Sequence, residues 1–186
     1  MLARPANFAL QEAAAIAHKR HIGERDNFKG ERAYLAFYEE LRANREEWLA
    51  FLSENPWLCQ NACAILGTLA TIKRQRGDLA ESEQVLDMEE PVLARYQRHA
   101  KGAVHPDDVR TSDALTNKYQ RTRYNVFFLT QRYSECVRLF RSLARYERKW
   151  AVPYPEQEER PTPFTTPGNF VAGIPQWECP ALPRSG

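Results

Sequence analysis

The fold is decided by residues 69–86, LATIKRQRGDLAESEQVL. Apolar residues recur at helical spacing on both sides of the Gly77-Asp78 step. Glycine suits the left-handed residue that ends a helix. Asp78 suits the cap of the next helix, where Glu81 is placed to bond back to it. The stretch therefore predicts two helices joined by a tight turn.

A second stretch with the same pattern lies further along the chain, at residues 127–140, FFLTQRYSECVRLF. In each stretch a small residue, Ser82 or Cys136, comes three positions after the apolar residue that follows the turn. A large residue, Leu86 or Phe140, comes four positions later. A small side chain lets two helices approach closely, and the large one fills the adjacent groove. We therefore predict a repeated helical hairpin.

This spacing resembles that of the tetratricopeptide repeat, in which helical hairpins pair small and large residues around a Gly-Asp-like turn. The two stretches are 54 residues apart, whereas that repeat has a period of about 34. Lys73 also stands where the repeat has an aromatic residue. The resemblance implies an array of antiparallel hairpins. An irregular helical bundle is the alternative, because glycine turns occur in any packed hairpin.

Helical periodicity extends over almost the whole chain before residue 150, and the two-residue alternation of strands is scarce. We predict an all-α domain over 1–150. Its helices are expected at 7–21, 30–53, 56–76, 79–102 with a kink or restart at Pro91, 105–129 and 134–150. The last of these is expected to bury Cys136, Val137, Phe140, Leu143 and Ala144.

The composition changes after residue 150, because 8 of the 12 prolines fall in residues 151–186. Proline lacks a backbone donor, so a helix or an inner strand is excluded at that density. We predict an extended, proline-rich C-terminal arm over 151–186. Its aromatic residues are unusual for a linker and are expected to contact the helices or a partner: Phe164, Phe170 and Trp177.

The formal charge of +2 conceals an uneven distribution. Residues 110–150 carry a net charge of +7, whereas residues 1–109 carry −3 and residues 151–186 carry −2. Four arginines, which we call the arginine row, share one face of the last predicted helix, and Arg132 extends it: Arg138, Arg141, Arg145 and Arg148. The guanidinium fork binds carboxylates and phosphates. The predicted partner is an acidic protein surface or peptide, with nucleic acid and the chain's own glutamate-rich helices as alternatives.

Patterns typical of catalytic and metal sites are weak. His18 and His21 share a helix face, but a transition-metal site needs three or four ligands. Glycine-rich phosphate loops are absent from the sequence. We predict no catalytic residue, no metal and no cofactor. The alternative is a small all-α enzyme built on His99, His105 or the aspartates after Pro106.

Apolar runs are short and the mean hydropathy is −0.62, so no membrane span is predicted. Four cysteines without a secretory signal favour a reducing, cytoplasmic compartment. Organellar import stays open because residues 1–22 are alanine-rich and basic. The sequence predicts a non-catalytic protein interaction module, such as a scaffold, an adaptor or a subunit of a larger assembly. An RNA-binding helical repeat using residues 110–150 is the first alternative.

Overall fold

The structure is a computed structural model that describes residues 4–23, 26–102 and 106–150. These residues form α-helices, one short 3-10 helix at Asn27–Gly30 and no strand, which confirms the all-α prediction. The α-helices are α1 (Phe8–Gly23), α2 (Glu31–Ala43), α3 (Arg45–Glu54), α4 (Pro56–Arg76), α5 (Leu79–Gly102), α6 (Pro106–Leu129) and α7 (Tyr133–Trp150). The helices up to residue 146 form one compact unit. None of the described helices is long and apolar enough to cross a membrane.

Asn44 interrupts the helix expected over 30–53, so the prediction of one continuous helix is wrong. Its backbone leaves the helical region at φ −118° and ψ 40°. Its Nδ2 donates to Glu40 Oε1 at 2.8 Å, and Trp48 Nε1 donates to the same oxygen at 3.3 Å. Hydrogen bonds from an asparagine side chain to nearby groups compete with the backbone hydrogen bonds of a helix. Beyond the break, the indole of Trp48 is fully buried against the rings of Phe8 and Phe37.

Of the kink or restart predicted at Pro91, the restart does not occur, because α5 continues through this residue to Gly102. Leu86 and Val92, on either side of the proline, are both fully buried in the same apolar core. Arg95 Nη1 also donates to the Pro91 carbonyl at 2.8 Å. Packing on both sides therefore outweighs the local preference of proline for a helix end.

The two hairpins, α4 with α5 and α6 with α7, have equivalent turns 54 residues apart. Gly77 and Gln131 occupy the left-handed region, with φ of 88° and 60°. In both turns the next N–H donates to the carbonyl five residues back, at 3.0 Å in the first hairpin and 2.8 Å in the second. This bond satisfies a carbonyl that the end of a helix leaves without a partner. The expected capping bond of Glu81 is not formed, since its carboxylate accepts from Lys73 Nζ at 2.6 Å.

The two small residues singled out in the sequence also make equivalent contacts. Ser82 Oγ donates to the Ala70 carbonyl at 2.8 Å. Cys136 Sγ lies 3.7 Å from the Tyr124 carbonyl, again twelve residues back. Both side chains are buried where the second helix of the hairpin approaches the first. The sequence spacing therefore corresponds to a repeated local structure.

Helix α4 is the centre of the fold, because α1, α2, α3, α5 and α6 all contact it. One carboxyl group, that of Glu89 on α5, lies inside this core at 1% exposure. A Cβ on Gly67 would lie 3.2 Å from Glu89 Oε1 and 3.5 Å from Lys118 Cε, so glycine leaves room for both side chains. Lys118 Nζ donates to Thr68 Oγ1 at 3.1 Å.

Burial decides the charge state of this buried pair. It raises the pKa of Glu89 to about 8, although the nearby charge of Lys118 acts in the opposite direction. Burial also lowers the pKa of Lys118. At neutral pH the carboxyl group of Glu89 in the core is therefore largely protonated.

Candidate functional site

Helix α7 buries only part of its apolar side chains. Cys136 and Leu143 are buried as expected, but Val137 and Phe140 are 53% and 46% exposed. Ala144 is half-buried. The prediction that Val137 and Phe140 lie in the core is therefore wrong. Only one edge of the apolar stripe is turned toward the rest of the hairpin, and the other edge stays open to solvent.

The open edge of this stripe continues onto the end of α6. The exposed apolar residues, which we call the apolar flank, are Phe128, Leu129, Tyr133, Val137 and Phe140. The ring of Phe128 lies 6.0 Å from that of Tyr133, measured between centroids, which joins the two helices. Single exposed apolar residues are ordinary on protein surfaces, whereas large contiguous apolar patches are rare.

Three arginines of the arginine row, Arg138, Arg141 and Arg145, are exposed beside the apolar flank. Val137 and Arg141 are four residues apart and are therefore neighbours on the helix surface. None of the three arginines forms an ion pair within the described part of the chain. The row therefore borders the apolar flank.

Arg132 has a different environment from the rest of the predicted site. Its Nη1 contacts Glu83 Oε1 at 2.5 Å, and its Nε contacts Glu135 Oε1 at 3.3 Å. Its guanidinium carbon lies 4.1 Å from the ring centroid of Phe127. Arg132 thus links the turn before α7 to α5.

The remaining predicted site residues are not described. Arg148 belongs to α7, but its side chain lies outside the described side chains. The predicted arm over 151–186 lies outside the described residues, together with Phe164, Phe170 and Trp177.

The first hairpin shows how a surface equivalent to the apolar flank is covered. Leu86 of α5 precedes Phe140 by 54 residues and is 0% exposed, whereas Phe140 is half exposed. Helix α6 packs on α5. At the position of Phe140, one further helix on α7 would bury the side chain as the equivalent Leu86 is buried in the first hairpin.

The charges on the two equivalent surfaces differ in sign. On α5, Glu83 pairs with Arg132 of the second hairpin at 2.5 Å, and Asp87 and Glu90 pair with Arg123 at 2.8 and 3.1 Å. The corresponding residues of α7, 54 positions later, are Val137, Arg141 and Ala144. Of these three residues only Arg141 is charged, so a carboxylate on a packing element would complement Arg141 where Arg123 of α6 complements Asp87.

The cysteines and histidines among the described residues lie in different environments. Within the described residues, no group of three or more histidine, cysteine or acidic side chains is arranged to hold a metal ion. Cys59 and Cys63 are buried, and burial raises the pKa of Cys59 to about 12, which disfavours the thiolate that a nucleophile needs. His99 is exposed beside a surface cavity, and His105 lies outside the described residues.

Comparison with models of known protein families, with curated proteins and with solved structures gives no significant match to this chain. Inference about function therefore rests on the geometry of the chain itself. Sequence reasoning found the arginine row but missed Phe128 and Leu129. A signal was present, because Phe127, Phe128 and Leu129 are consecutive and one helix face cannot bury all three.

Proposed function

We propose that the chain is a non-catalytic protein interaction module that binds an acidic, amphipathic helix on α7. The observation that carries this proposal is the position of the apolar flank. It lies where the first hairpin is covered by a helix, and it is bordered by arginines that have no partner in the described part of the chain. The module would act as an adaptor or as a subunit of a larger assembly.

The two parts of the surface have different roles in this proposal. The apolar flank supplies the free energy of binding, since burial of aromatic and aliphatic area is the main favourable contribution to association. The arginine row supplies selectivity, because guanidinium groups bind carboxylates in paired hydrogen bonds and repel basic partners. A partner helix therefore needs apolar residues at i, i+3, i+4 and i+7, with Asp or Glu beside them.

A photo-crosslinking experiment tests the proposal. A photoreactive amino acid replaces Val137 in the full chain, and the protein is irradiated in nuclease-treated cell extract. Mass spectrometry of the crosslinked peptides should recover a protein segment with helical apolar spacing and acidic residues next to it. That segment, made as a synthetic peptide, should bind the purified chain.

Charge reversal on the chain provides the matched control. The Arg138→Glu/Arg141→Glu/Arg145→Glu variant should lose the crosslink. The Lys19→Glu/Arg32→Glu/Arg45→Glu variant makes the same change in net charge at exposed positions of α1 to α3 and should keep it. Unchanged crosslinking in the α7 variant, or crosslinks only to segments without acidic residues, would refute the proposal.

RNA binding on the same surface is the second candidate. The observation in its favour is that Phe128 and Tyr133 are exposed aromatic rings beside the arginine row, where bases can stack. RNA binding predicts an affinity that falls steeply with salt, by roughly one power of concentration for each phosphate contacted. Crosslinks from position 137 to RNA in untreated extract would favour this function over the first.

A further inference from the structure

A second basic feature lies apart from α7, where α3, α4 and α5 meet. A cavity of about 290 Å³ is lined there by Ser53, Pro56, Arg95, Arg98 and His99. Arg98 and His99 are exposed, so the cavity is open to ligands from solvent. It shares no residue with the apolar flank or the arginine row.

Arg95 is held in place at this cavity before any ligand arrives. Its Nε donates to the Leu49 carbonyl and to Ser53 Oγ, both at 2.9 Å, and its Nη1 donates to the Pro91 carbonyl at 2.8 Å. Within the described contacts, Nη2 is the nitrogen of this guanidinium without an acceptor. A fixed donor binds a ligand at a lower entropic cost than a mobile side chain.

Two further arginines, Arg98 and Arg45, add positive charge near Arg95. Burial lowers the pKa of Arg95, and the charges of Arg98 and Arg45 lower it further. Arg98 and Arg45 are exposed, and neither forms an ion pair in the described part of the chain. An anion in the cavity would relieve the mutual repulsion of these cations.

We propose that this cavity binds a phosphate monoester group. A dianion offsets more of the charge of these arginines than one carboxylate does, and its oxygens match several guanidinium and imidazole donors at once. Helix α4 begins at Pro56, so the positive end of its dipole adds to the potential that the arginines create. The volume admits the phosphoryl group and the first atoms of its substituent.

An NMR titration of the full chain tests this site. Inorganic phosphate is added at constant ionic strength, with chloride as the reference anion. Backbone amides of residues 53–58 and 95–99 should shift saturably with phosphate and not with chloride. The Arg98→Gln variant should raise the dissociation constant about tenfold or more, as expected for the loss of a charged hydrogen bond. The Arg32→Gln variant, at an exposed arginine of α2, should leave it unchanged.

The same titration distinguishes the two sources of the group. Tighter binding of N-acetyl-phosphoserine amide than of inorganic phosphate would identify a phosphorylated side chain, and equal affinity would identify the free ion. Shifts that do not saturate, that chloride reproduces, or that Arg98→Gln leaves intact would overturn the proposal. An unchanged spectrum of Arg98→Gln away from the cavity would show that the variant is folded.

Discussion

Replacing Glu89 by glutamine tests the charge state of the buried acid. The carboxyl group lies in the core at 1% exposure, and burial raises its pKa from the ordinary value of 4.5 to about 8. In the unfolded chain it ionises near the ordinary value. Between these two pKa values the folded protein binds more protons than the unfolded chain, so its stability falls as the pH rises.

The size of this effect follows from the pKa shift. A rise from 4.5 to about 8, at about 1.36 kcal/mol per pH unit, amounts to a loss of about 5 kcal/mol across the window. His18 makes the stability rise with pH below about pH 6.5, because burial and then the charge of Lys118 lower its pKa. Lys118 likewise makes the stability rise with pH above its own lowered pKa. The wild-type protein should therefore lose stability most clearly between about pH 6.5 and 8.

Urea unfolding followed by circular dichroism measures this loss. Full-length wild-type and Glu89→Gln proteins are compared at pH 5, 6, 7 and 8, so that titrating groups common to both largely cancel. The free energy of unfolding of Glu89→Gln relative to wild type should rise by about 1.4 kcal/mol per pH unit, or about 4 kcal/mol from pH 5 to 8. Glu46→Gln changes an exposed glutamate of α3 and should follow the wild type.

Two results would contradict this reasoning. One is a difference between wild type and Glu89→Gln that does not change with pH. The other is a wild-type stability that rises from pH 6.5 to 8. The first would mean that Glu89 is ionised in the folded protein because the charge of Lys118 outweighs the effect of burial. The second would mean that groups acting in the opposite direction, such as Lys118, outweigh Glu89 in this pH window.

Three further predictions concern the hairpins and the buried thiols. Leu86→Ala should lower the free energy of unfolding by about 2–5 kcal/mol, whereas Phe140→Ala should lower it by only about 1 kcal/mol because the ring is half exposed. Urea unfolding measures both losses, and equal losses would mean that the apolar flank is covered. Gly77→Ala should lower the free energy of unfolding by about 1 kcal/mol, because φ is 88° although the surrounding space is open. Gln131→Gly should raise it by up to about 1 kcal/mol, because φ is 60° there and glycine adopts this region without strain. Thermal unfolding of both variants checks the opposite signs. Cys59 in the folded protein should resist iodoacetamide at pH 8 and react only after unfolding, because burial raises its pKa to about 12. Mass spectrometry of the alkylated peptides measures the extent of reaction, and rapid labelling of the folded protein would contradict the prediction.

The hairpins were predictable because their signals are local. The Gly77-Asp78 step and the spacing from the turn to Ser82 or Cys136 lie within a few residues of one another. They describe contacts that form inside one hairpin. The continuity through Pro91 was not predictable, because it depends on packing against distant helices. The break at Asn44 combines local bonds to Glu40 with the packing of Trp48 on Phe8 of α1, and the second contact is not visible in the sequence.

The exposure of the apolar flank could not be read from periodicity. An apolar stripe on a helix requires that something cover it, but the pattern is the same whether that cover is another helix of the chain or a partner. Leu86 and Phe140 occupy equivalent sequence positions, and only the structure separates the buried residue from the exposed one. The pairing of Glu89 with Lys118 was likewise hidden, since 29 residues separate them and they meet only in the folded core.

The charges on α5 and α7 restrict which element can pack on the apolar flank. The acidic surface of α5 would complement the arginine row, but it is already paired with Arg123 and Arg132 of the same chain. A second copy therefore cannot offer that surface without opening its own hairpin interface. Two α7 surfaces placed face to face would bring arginines together, which like-charge repulsion disfavours. Both routes to self-association on α7 are thus opposed by charge, and this favours an acidic helix from a different protein.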